Sequence, residues 1–254
     1  MQPDILQIII PLLLLPILIW GWWRLRLKRI AGYYSPLLGK IEIFQKYNGE
    51  KVLTINSYPQ GVSIHDESIK KSYWYAIAQE VLRFTQKRKK PQILMLGLGA
   101  CTIPNLIAKQ DKNIHQTIIE IDKEIIKACH DFFGLGQLPN YQIIQNNAYK
   151  WVSNNTFKNE FDVIIIDIFL GHPPYVDLKS NKPNFIEKLL PYLKQDGMII
   201  FNRPAHTEET RSDSRQLEQY LKTRFKKTKL LDIKDPRRFR NNLIIGLSLQ
   251  IKNI

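Results

Sequence analysis

Short, almost wholly apolar runs alternate with longer amphipathic stretches from residue 92 onward. Such runs are typical of strands that are buried on both faces, and the stretches between them are long enough to form helices. Strands separated by helices indicate a mostly parallel sheet with helices on both sides, so the pattern predicts an α/β domain. The predicted strands are residues 93–96, 117–120, 142–144, 163–166 and 198–201.

The last apolar runs, residues 228–233 and 242–249, break this pattern because only a short basic loop separates them. A parallel pair needs a long crossover connection, so these two strands are predicted to be antiparallel. The sequence before the α/β domain also differs. Residues 41–47 alternate apolar and polar side chains, Asn48 and Gly49 interrupt them, and residues 51–55 resume, which predicts a β-hairpin.

The N-terminal residues 5–23 form an uncharged apolar run that ends in three tryptophans and is followed at once by basic residues. A bilayer requires about 20 apolar residues, and the basic flank favours the cytoplasmic side. We therefore predict a single-pass membrane protein whose catalytic domain faces the cytoplasm, with an interfacial or hairpin-like segment as the alternative. The predicted division is an anchor at residues 1–30, a β-hairpin region at 31–70 and the α/β domain at 71–254.

The basic residues are concentrated rather than evenly spread. The 254-residue chain has 37 Lys and Arg against 23 Asp and Glu, a net charge of +14, and three stretches, 24–29, 83–90 and 222–240, carry the excess. These patches are either solvated faces or contacts with anionic lipid, and a nucleic-acid partner is not expected. The chain has two cysteines, neither in a C-x-x-C pair, so neither a disulfide framework nor a metal site is predicted.

A candidate cofactor site follows the first two strands of the α/β domain. Gly97 and Gly99 lie between a strand and a helix, where glycines let the backbone approach a ligand. This short motif lacks the third glycine of a dinucleotide fingerprint. Glu120 and Asp122 stand at the end of the next strand, where a carboxylate can accept both hydroxyls of a ribose. Asp122 is alternatively the cap of the following helix.

The next two strands end in polar residues at the same predicted edge. Asn147, which Ala148 follows, could read an adenine edge or could simply cap a turn or helix. Asp167 directly follows residues 163–166, at the carboxyl edge where ligands bind in such folds. These positions extend the candidate cofactor site toward a place for a second substrate.

Three residues are candidates for the acceptor site. His172 and Tyr175 lie in a proline-containing loop after Asp167, and His172 could act as a general base near neutral pH. Tyr73 could lend an aromatic face to the acceptor. The alternatives are an exposed histidine on a loop and a tyrosine that packs between helix and sheet. His206, after residues 198–201, is a weaker candidate at the same edge.

These motifs, in this order, resemble the spermidine synthase family, also called the polyamine aminopropyltransferases, within the class I S-adenosylmethionine-dependent methyltransferase superfamily. The matching segments are the hairpin, LMLGLGACTIPNLI, IIEIDKEIIKAC, NAYKWV, FDVIIIDIFLG and FIEKLLPYLKQDGMIIFN. The resemblance covers residues 40–204 and implies a Rossmann-like methyltransferase fold preceded by a small β-hairpin region. It also implies a homodimer.

The resemblance assigns roles to individual residues. It implies that Gly97 and Gly99 form the cofactor loop and that Glu120 binds the ribose. Asn147 occupies a position where the family usually has an acid near the adenine. Asp167 matches the family's catalytic carboxylate, which accepts a proton from the attacking amine.

Two departures from the family bear on the reaction. The family has carboxylates inside the glycine loop and three residues after the catalytic Asp, and this chain has Ala100 and Leu170 there. Losing two carboxylates weakens the binding of a cationic substrate. We therefore expect S-adenosylmethionine as cofactor and methyl transfer to an unidentified acceptor. The alternatives are aminopropyl transfer from decarboxylated S-adenosylmethionine and a non-catalytic adenosyl-binding scaffold.

Overall fold

The structure, a computed structural model, describes residues 27–65, 67–154, 158–169, 177, 179–236 and 240–250. The first part of this chain forms a four-stranded antiparallel sheet with the strand order β1-β2-β3-β4. The predicted hairpin is the central pair of this sheet, in which Gln45 pairs with Lys51. The bounds are β1 Lys28–Ser35, β2 Gly39–Gln45, β3 Lys51–Ile55 and β4 Tyr58–Val62.

The second sheet has seven strands in the order β10-β11-β9-β8-β5-β6-β7. Its five strands from β5 to β9 are mutually parallel, whereas β11 is antiparallel to both β9 and β10. The predicted mostly parallel, Rossmann-like sheet with an antiparallel C-terminal pair is therefore confirmed. The bounds are β5 Gln92–Leu96, β6 His115–Glu120, β7 Tyr141–Gln145, β8 Phe161–Ile166, β9 Leu193–Pro204, β10 Phe225–Lys234 and β11 Arg240–Leu249.

Six α-helices in the described part of the chain connect these strands. Short 3-10 helices at Glu67–Lys71, Leu135–Gln137 and Leu190–Tyr192 supplement them. The helix bounds are α1 Tyr73–Thr85, α2 Thr102–Gln110, α3 Lys123–Phe132, α4 Ala148–Asn154, α5 Pro183–Leu189 and α6 Glu208–Lys222.

Helices cover both faces of the central strands, which explains their continuous apolar sequence. All six residues of β8 are buried. Val163 and Ile165 belong to one hydrophobic cluster, whereas Ile164 and Ile166 belong to a second cluster on the opposite face. Because successive side chains point to opposite faces of a strand, a strand buried on both faces needs an apolar residue at every position.

The N-terminal sheet packs onto the glycine loop of the α/β sheet. Thr102 Oγ1 donates to the Val62 carbonyl at 2.7 Å and accepts from the Val62 amide at 3.1 Å. Ile41 and Leu53 of this sheet share one buried cluster with the α/β domain. The sheet thus covers the loop after β5, and the domain boundary near residue 70 stays a prediction.

The predicted single-pass membrane protein is corrected by the structure. None of the helices in the described ranges is long and apolar enough to cross a bilayer. The longest of these, α6, has 15 residues, and a span needs about 20 apolar ones. The predicted span at residues 5–23 lies outside the described residues.

Candidate active site

A cleft opens at the carboxyl edge of the seven-stranded sheet. The ends of β5, β6, β7 and β8 form its floor, and the N-terminal sheet forms one wall. Most of the predicted site residues are brought together here, although they are far apart in sequence. The lining includes Tyr73, Gly97, Gly99, Glu120, Asn147, Ala148 and Asp167, together with Leu38, Ile55 and Gln60 from the N-terminal sheet.

Gly97 and Gly99 shape the loop after β5. Their φ angles are +94° and +56°, in the left-handed region that glycine adopts without strain. A Cβ atom on Gly97 would lie 2.3 Å from the backbone oxygen of Asp167, and one on Gly99 would lie 3.0 Å from the Gln60 oxygen. Larger residues at these positions would therefore push the loop away from β8 and β4 and into the cleft.

Glu120 ends β6 and faces this loop with a carboxyl that is 7% exposed. One oxygen accepts from the Leu98 amide and the other from the Asp122 amide, each at 2.9 Å. Burial raises the pKa of Glu120 to about 7 although these hydrogen bonds favour the ionised form. Glu120 therefore fixes the glycine loop to the end of β6 and presents a buried acceptor to the cleft.

Asp122 is not among the residues that line the cleft. Its Oδ1 accepts from the Glu124 amide at 2.8 Å and the Ile125 amide at 3.3 Å, and its Oδ2 accepts from the Ser35 hydroxyl. These bonds cap α3 and attach the end of β1 to it. The geometry favours the helix-cap alternative for Asp122 over contact with a ribose.

Asn147 both lines the cleft and caps a helix. Its Oδ1 accepts from the Tyr149 amide at 2.9 Å and the Lys150 amide at 3.2 Å, so the side-chain oxygen satisfies the first turn of α4. Capping fixes the orientation of this side chain beside Ala148. A contact between Asn147 and an adenine stays a prediction.

Asp167 follows β8 and is half-buried at the floor of the cleft. Its amide donates to the Leu96 carbonyl at 2.9 Å, and its Oδ1 accepts from Asn202 Nδ2 at 2.8 Å. Burial raises the pKa of Asp167 to about 6, while the Asn202 hydrogen bond lowers it. A carboxyl with this pKa is mostly ionised at neutral pH and is suited to accept a proton.

Tyr73 begins α1 and lines the cleft beside Asp167. Burial and the negative charge of Asp167 raise the pKa of the Tyr73 hydroxyl well above its usual range, so the hydroxyl stays protonated. The tyrosine is only 6% exposed and packs in the hydrophobic core, as the structural alternative expected. Tyr73 therefore combines a packing role with a place in the wall of the site.

The remaining acceptor candidates are not assembled by the described part of the structure. His172, Tyr175 and Leu170 lie outside the described residues. His206 is exposed and is not among the residues that line the cleft. Conversely, the sequence interpretation missed Gln60, Tyr149 and the Asn202 contact with Asp167. No local motif marks Gln60, because β4 is a short polar strand whose position depends on docking of the N-terminal sheet.

The structure removes the inference that was drawn from Ala100. Its side chain is 2% exposed and is not among the cleft residues. It lies instead beneath β4, where a Cβ on Gly61 would come within 2.6 Å of the Ala100 Cβ. A carboxylate at this position would have to displace β4. The alanine therefore reflects tight packing against Gly61, and it does not report the charge of the cleft.

A Rossmann-like sheet with a glycine turn after β5 and a buried carboxylate at the end of β6 defines the class of nucleotide-cofactor proteins with a methyltransferase-like fold. Within this class the family is specific. The sequence model of the spermine/spermidine synthase domain matches residues 71–238, more than half of the chain, and the chain belongs to that family. The resemblance that was drawn from the motifs is thus confirmed.

Similar proteins agree with this family. A polyamine aminopropyltransferase from Vibrio vulnificus (strain CMCP6) is 22% identical over 160 residues, which are 63% of this chain and 50% of that protein. The chain thus spans about half the length of this curated relative. A probable spermidine synthase from Corynebacterium glutamicum ATCC 13032 has a TM-score of 0.68 and 21% identity, with 86% of this chain and 79% of that chain covered.

A second solved structure is a spermidine synthase in complex with the transition state analogue AdoDATO. Its TM-score is 0.65 at 19% identity, and the match covers 88% of this chain and 75% of that chain. At such identities the two structural likenesses show the fold alone.

These findings correct the expected reaction. Methyl transfer was favoured over aminopropyl transfer because of Ala100 and Leu170, but the family is that of spermine and spermidine synthases, and the curated relative is named an aminopropyltransferase. The prediction of a methyltransferase is therefore wrong. Its physical premise failed at Ala100, which packs against the N-terminal sheet outside the cleft.

Proposed function

We propose that this protein is a polyamine aminopropyltransferase that uses decarboxylated S-adenosylmethionine. The observation that carries the proposal is the placement of two carboxyls, the buried Glu120 and the half-buried Asp167, in one cleft of a chain of the spermine/spermidine synthase family. The two carboxyls flank the glycine loop after β5, so one can hold a nucleoside while the other faces the reacting group.

The adenosyl part of the cofactor would lie along β5, β6 and β7. Glu120 would accept hydrogen bonds from the ribose hydroxyls, because its carboxylate is already held in place by two backbone amides. Gly97 and Gly99 would allow the cofactor close to the backbone. Asn147 and Ala148 would contact the adenine at the start of α4. The chain fits an adenosyl group because these residues line one continuous cleft.

When bound, decarboxylated S-adenosylmethionine supplies an aminopropyl group whose carbon next to the sulfonium is electrophilic. The acceptor amine forms a new C–N bond to this carbon, the C–S electron pair leaves with sulfur as a neutral thioether, and the amine releases one proton. Asp167 would accept this proton. Tyr73, which lines the cleft beside Asp167, would contact the acceptor, and alignment of the amine would provide much of the rate acceleration.

The charge of the cleft suits a cationic acceptor. Glu120 and Asp167 are acidic, and neither Lys nor Arg is among the described residues that line the cleft. Ionised carboxylates favour an alkylammonium over a neutral or anionic acceptor. The acceptor class is therefore a diamine or short polyamine, although the protein as a whole has a net charge of +14.

The proposal is tested by offering the purified protein putrescine together with either decarboxylated or intact S-adenosylmethionine and identifying the products by mass spectrometry. We expect spermidine and methylthioadenosine in equal amounts with the decarboxylated compound, and no methylated amine with the intact one. Methylated putrescine alone would contradict the proposal. Tight cofactor binding without any product from putrescine or related polyamines would also contradict it, and would favour an adenosyl-binding scaffold.

The homodimer that the family resemblance implies belongs to the same proposal. Sedimentation at several concentrations tests it, with twice the mass of the 254-residue chain expected at micromolar protein. A monomer at all concentrations would overturn this part without affecting the proposed reaction.

A further inference from the structure

Two buried asparagines and the half-buried Asp167 form a continuous hydrogen-bonded row that leads into the cleft. Asn241 Nδ2 donates to Asn202 Oδ1 at 2.9 Å, and Asn202 Nδ2 donates to Asp167 Oδ1 at 2.8 Å. Asn202 is 3% exposed and Asn241 is 4% exposed, so both side chains are shielded from solvent. The row crosses three adjacent strands, from β11 through β9 to the end of β8.

Strand register explains why these residues meet. Ile166 pairs with Phe201 across β8 and β9, so Asp167 and Asn202 are the next residues along the two parallel strands. Across β9 and β11, Leu243 pairs with Asn202 and Asn241 pairs with Pro204. Asn241 is therefore two residues along β11 from the partner of Asn202, on the same face of the sheet.

An amide has a donor end and an acceptor end, and the neighbours decide which end faces which group. Asn241 offers a donor to Asn202, so the Asn202 oxygen turns toward β11 and its NH₂ group turns toward Asp167. An ionised Asp167 can only accept a hydrogen bond, so it also favours the Asn202 NH₂ group on its own side. Asn241 reinforces this orientation from the other side by donating to the Asn202 oxygen, and Tyr73 is a further hydrogen-bond neighbour of Asn202.

We propose that Asn202 and Asn241 are positioning residues for Asp167: Asn241 fixes the amide of Asn202, and Asn202 holds Oδ1 of Asp167 so that Oδ2 receives the proton of the acceptor amine. This inference rests on the proposed role of Asp167 as the proton acceptor. It assigns function to two residues in strands that otherwise look purely structural. Neither residue lies in the glycine loop or at the end of β6.

The surrounding charges make this donation important. Tyr73 on α1 is a titratable neighbour of the row, and the negative charges of Asp167 and Asp235 both act on its hydroxyl. In the described part of the chain, burial and the Asn202 hydrogen bond are the influences that shift the pKa of Asp167, so the Asn202 donor is the interaction that favours the ionised carboxylate against desolvation.

Asn202→Leu removes the donor, and its effect is measured on the acid limb of the kcat/KM profile against pH. We expect this limb to move upward by about one pH unit, so that activity at pH 6 falls about fivefold and recovers at high pH. Asn202→Asp keeps the side-chain shape and the bond from Asn241 but replaces the donor by an acceptor. It should move the limb further, and it preserves the test if leucine disturbs folding.

Asn241→Leu tests whether Asn241 acts on Asp167 through Asn202 or only contributes to packing. It should move the limb in the wild-type background but have no further effect in the Asn202→Leu background, because Asn241 acts through Asn202. Asn242→Leu is the matched control, since Asn242 is the next residue of β11, is also 4% exposed and lies on the other face. We expect Asn242→Leu to leave the limb unchanged.

A carboxyl ¹³C titration of Asp167, with its signal assigned by its absence in Asp167→Asn, measures the same pKa without turnover. An upward shift in Asn202→Leu supports the inference even if the protein transfers no aminopropyl group, which would refute only the proposed function. An unchanged Asp167 pKa in a folded Asn202→Leu or Asn202→Asp protein would overturn it. Equal effects of Asn241→Leu in both backgrounds would overturn the role of Asn241.

Discussion

Glu120 and Asp167 both lie at the carboxyl edge of one sheet, yet different parts of the chain hold them. Glu120 accepts from two backbone amides, Leu98 and Asp122, of which Asp122 is only two residues away. Asp167 accepts from a side chain, Asn202, which is 35 residues away on β9 and depends in turn on β11. Local backbone geometry therefore fixes one carboxyl, and packing between distant strands fixes the other.

This difference indicates a division of labour. Side-chain substitutions leave backbone amides in place, so the two amides hold Glu120 rigidly. A rigid acceptor suits the adenosyl group, which stays the same whatever the acceptor amine. The Asp167 site is tuned by replaceable side chains, so its pKa and orientation can be adapted to an acceptor amine. Substitutions at the two carboxyls should consequently affect different kinetic quantities.

The largest effect is expected from Asp167→Asn, which keeps the shape of the side chain but removes the proton acceptor. General-base catalysis contributes about 10²- to 10⁴-fold, so kcat should fall by this factor. Calorimetry should find the affinity for decarboxylated S-adenosylmethionine within about threefold of wild type. Asp196→Asn, an exposed carboxylate at the opposite edge of the sheet, is the control. A comparable loss of cofactor affinity would contradict the division of labour.

Glu120→Gln should weaken cofactor binding and leave kcat nearly unchanged, which is the reverse of Asp167→Asn. Hydrogen bonds to a charged group contribute about 1.5–3 kcal/mol, so the cofactor Kd should rise roughly 10- to 100-fold. The kcat value at saturating cofactor should stay within about threefold, because Asp167 is untouched. Glu67→Gln, whose side chain is 83% exposed, is the matched control. Unchanged affinity in Glu120→Gln would refute the ribose assignment.

The pH dependence of stability provides a third comparison. The pKa of Glu120 is raised from 4.5 to about 7 in the folded protein, so the folded state binds this proton more tightly than the unfolded chain does. The free energy of unfolding should therefore fall as pH rises through this interval, by roughly 3 kcal/mol. Urea unfolding without cofactor measures it, and Glu120→Gln should flatten the slope. An equally steep slope in the variant would show that other groups cause it.

The smallest effect is expected where the N-terminal sheet meets the glycine loop. Thr102→Val keeps the side-chain shape but removes the two hydrogen bonds to Val62. The free energy of unfolding should fall by about 1–3 kcal/mol, because a buried amide and carbonyl lose their partner. Thr85→Val, which removes a bond inside α1, is a control for the change itself. If cofactor affinity changes while the free energy of unfolding does not, the contact between Thr102 and Val62 serves cofactor binding and not stability.

Much of the α/β sheet could be predicted from the sequence, because strands buried on both faces leave continuous apolar runs such as residues 163–166. The positions of Glu120 and Asp167 followed from the same pattern, since each comes at the end of such a run. The number of strands in the N-terminal sheet, four, could not be predicted. Its outer strand β4 contains Pro59 and Gly61, which are uncommon inside strands.

Contacts between side chains on different strands could not be predicted from the sequence either. Asn202 and Asn241 carry no local signal, because their function depends on the register between β9 and β11. The environment of Ala100 was misjudged for the same reason: nothing near it in sequence shows that Gly61 packs against it. Interactions within one element can be read from spacing, whereas interactions between distant elements require the fold.

The central claim is that the bond broken in the cleft joins sulfur to the aminopropyl group and not to the methyl group. Decarboxylated S-adenosylmethionine that carries ¹³C in its S-methyl group, incubated with the protein and putrescine, tests this directly. We predict that the label stays in the nucleoside thioether while unlabelled spermidine accumulates, and that Asp167→Asn slows the formation of both products by about 10²- to 10⁴-fold. Transfer of the label to the amine would contradict the claim.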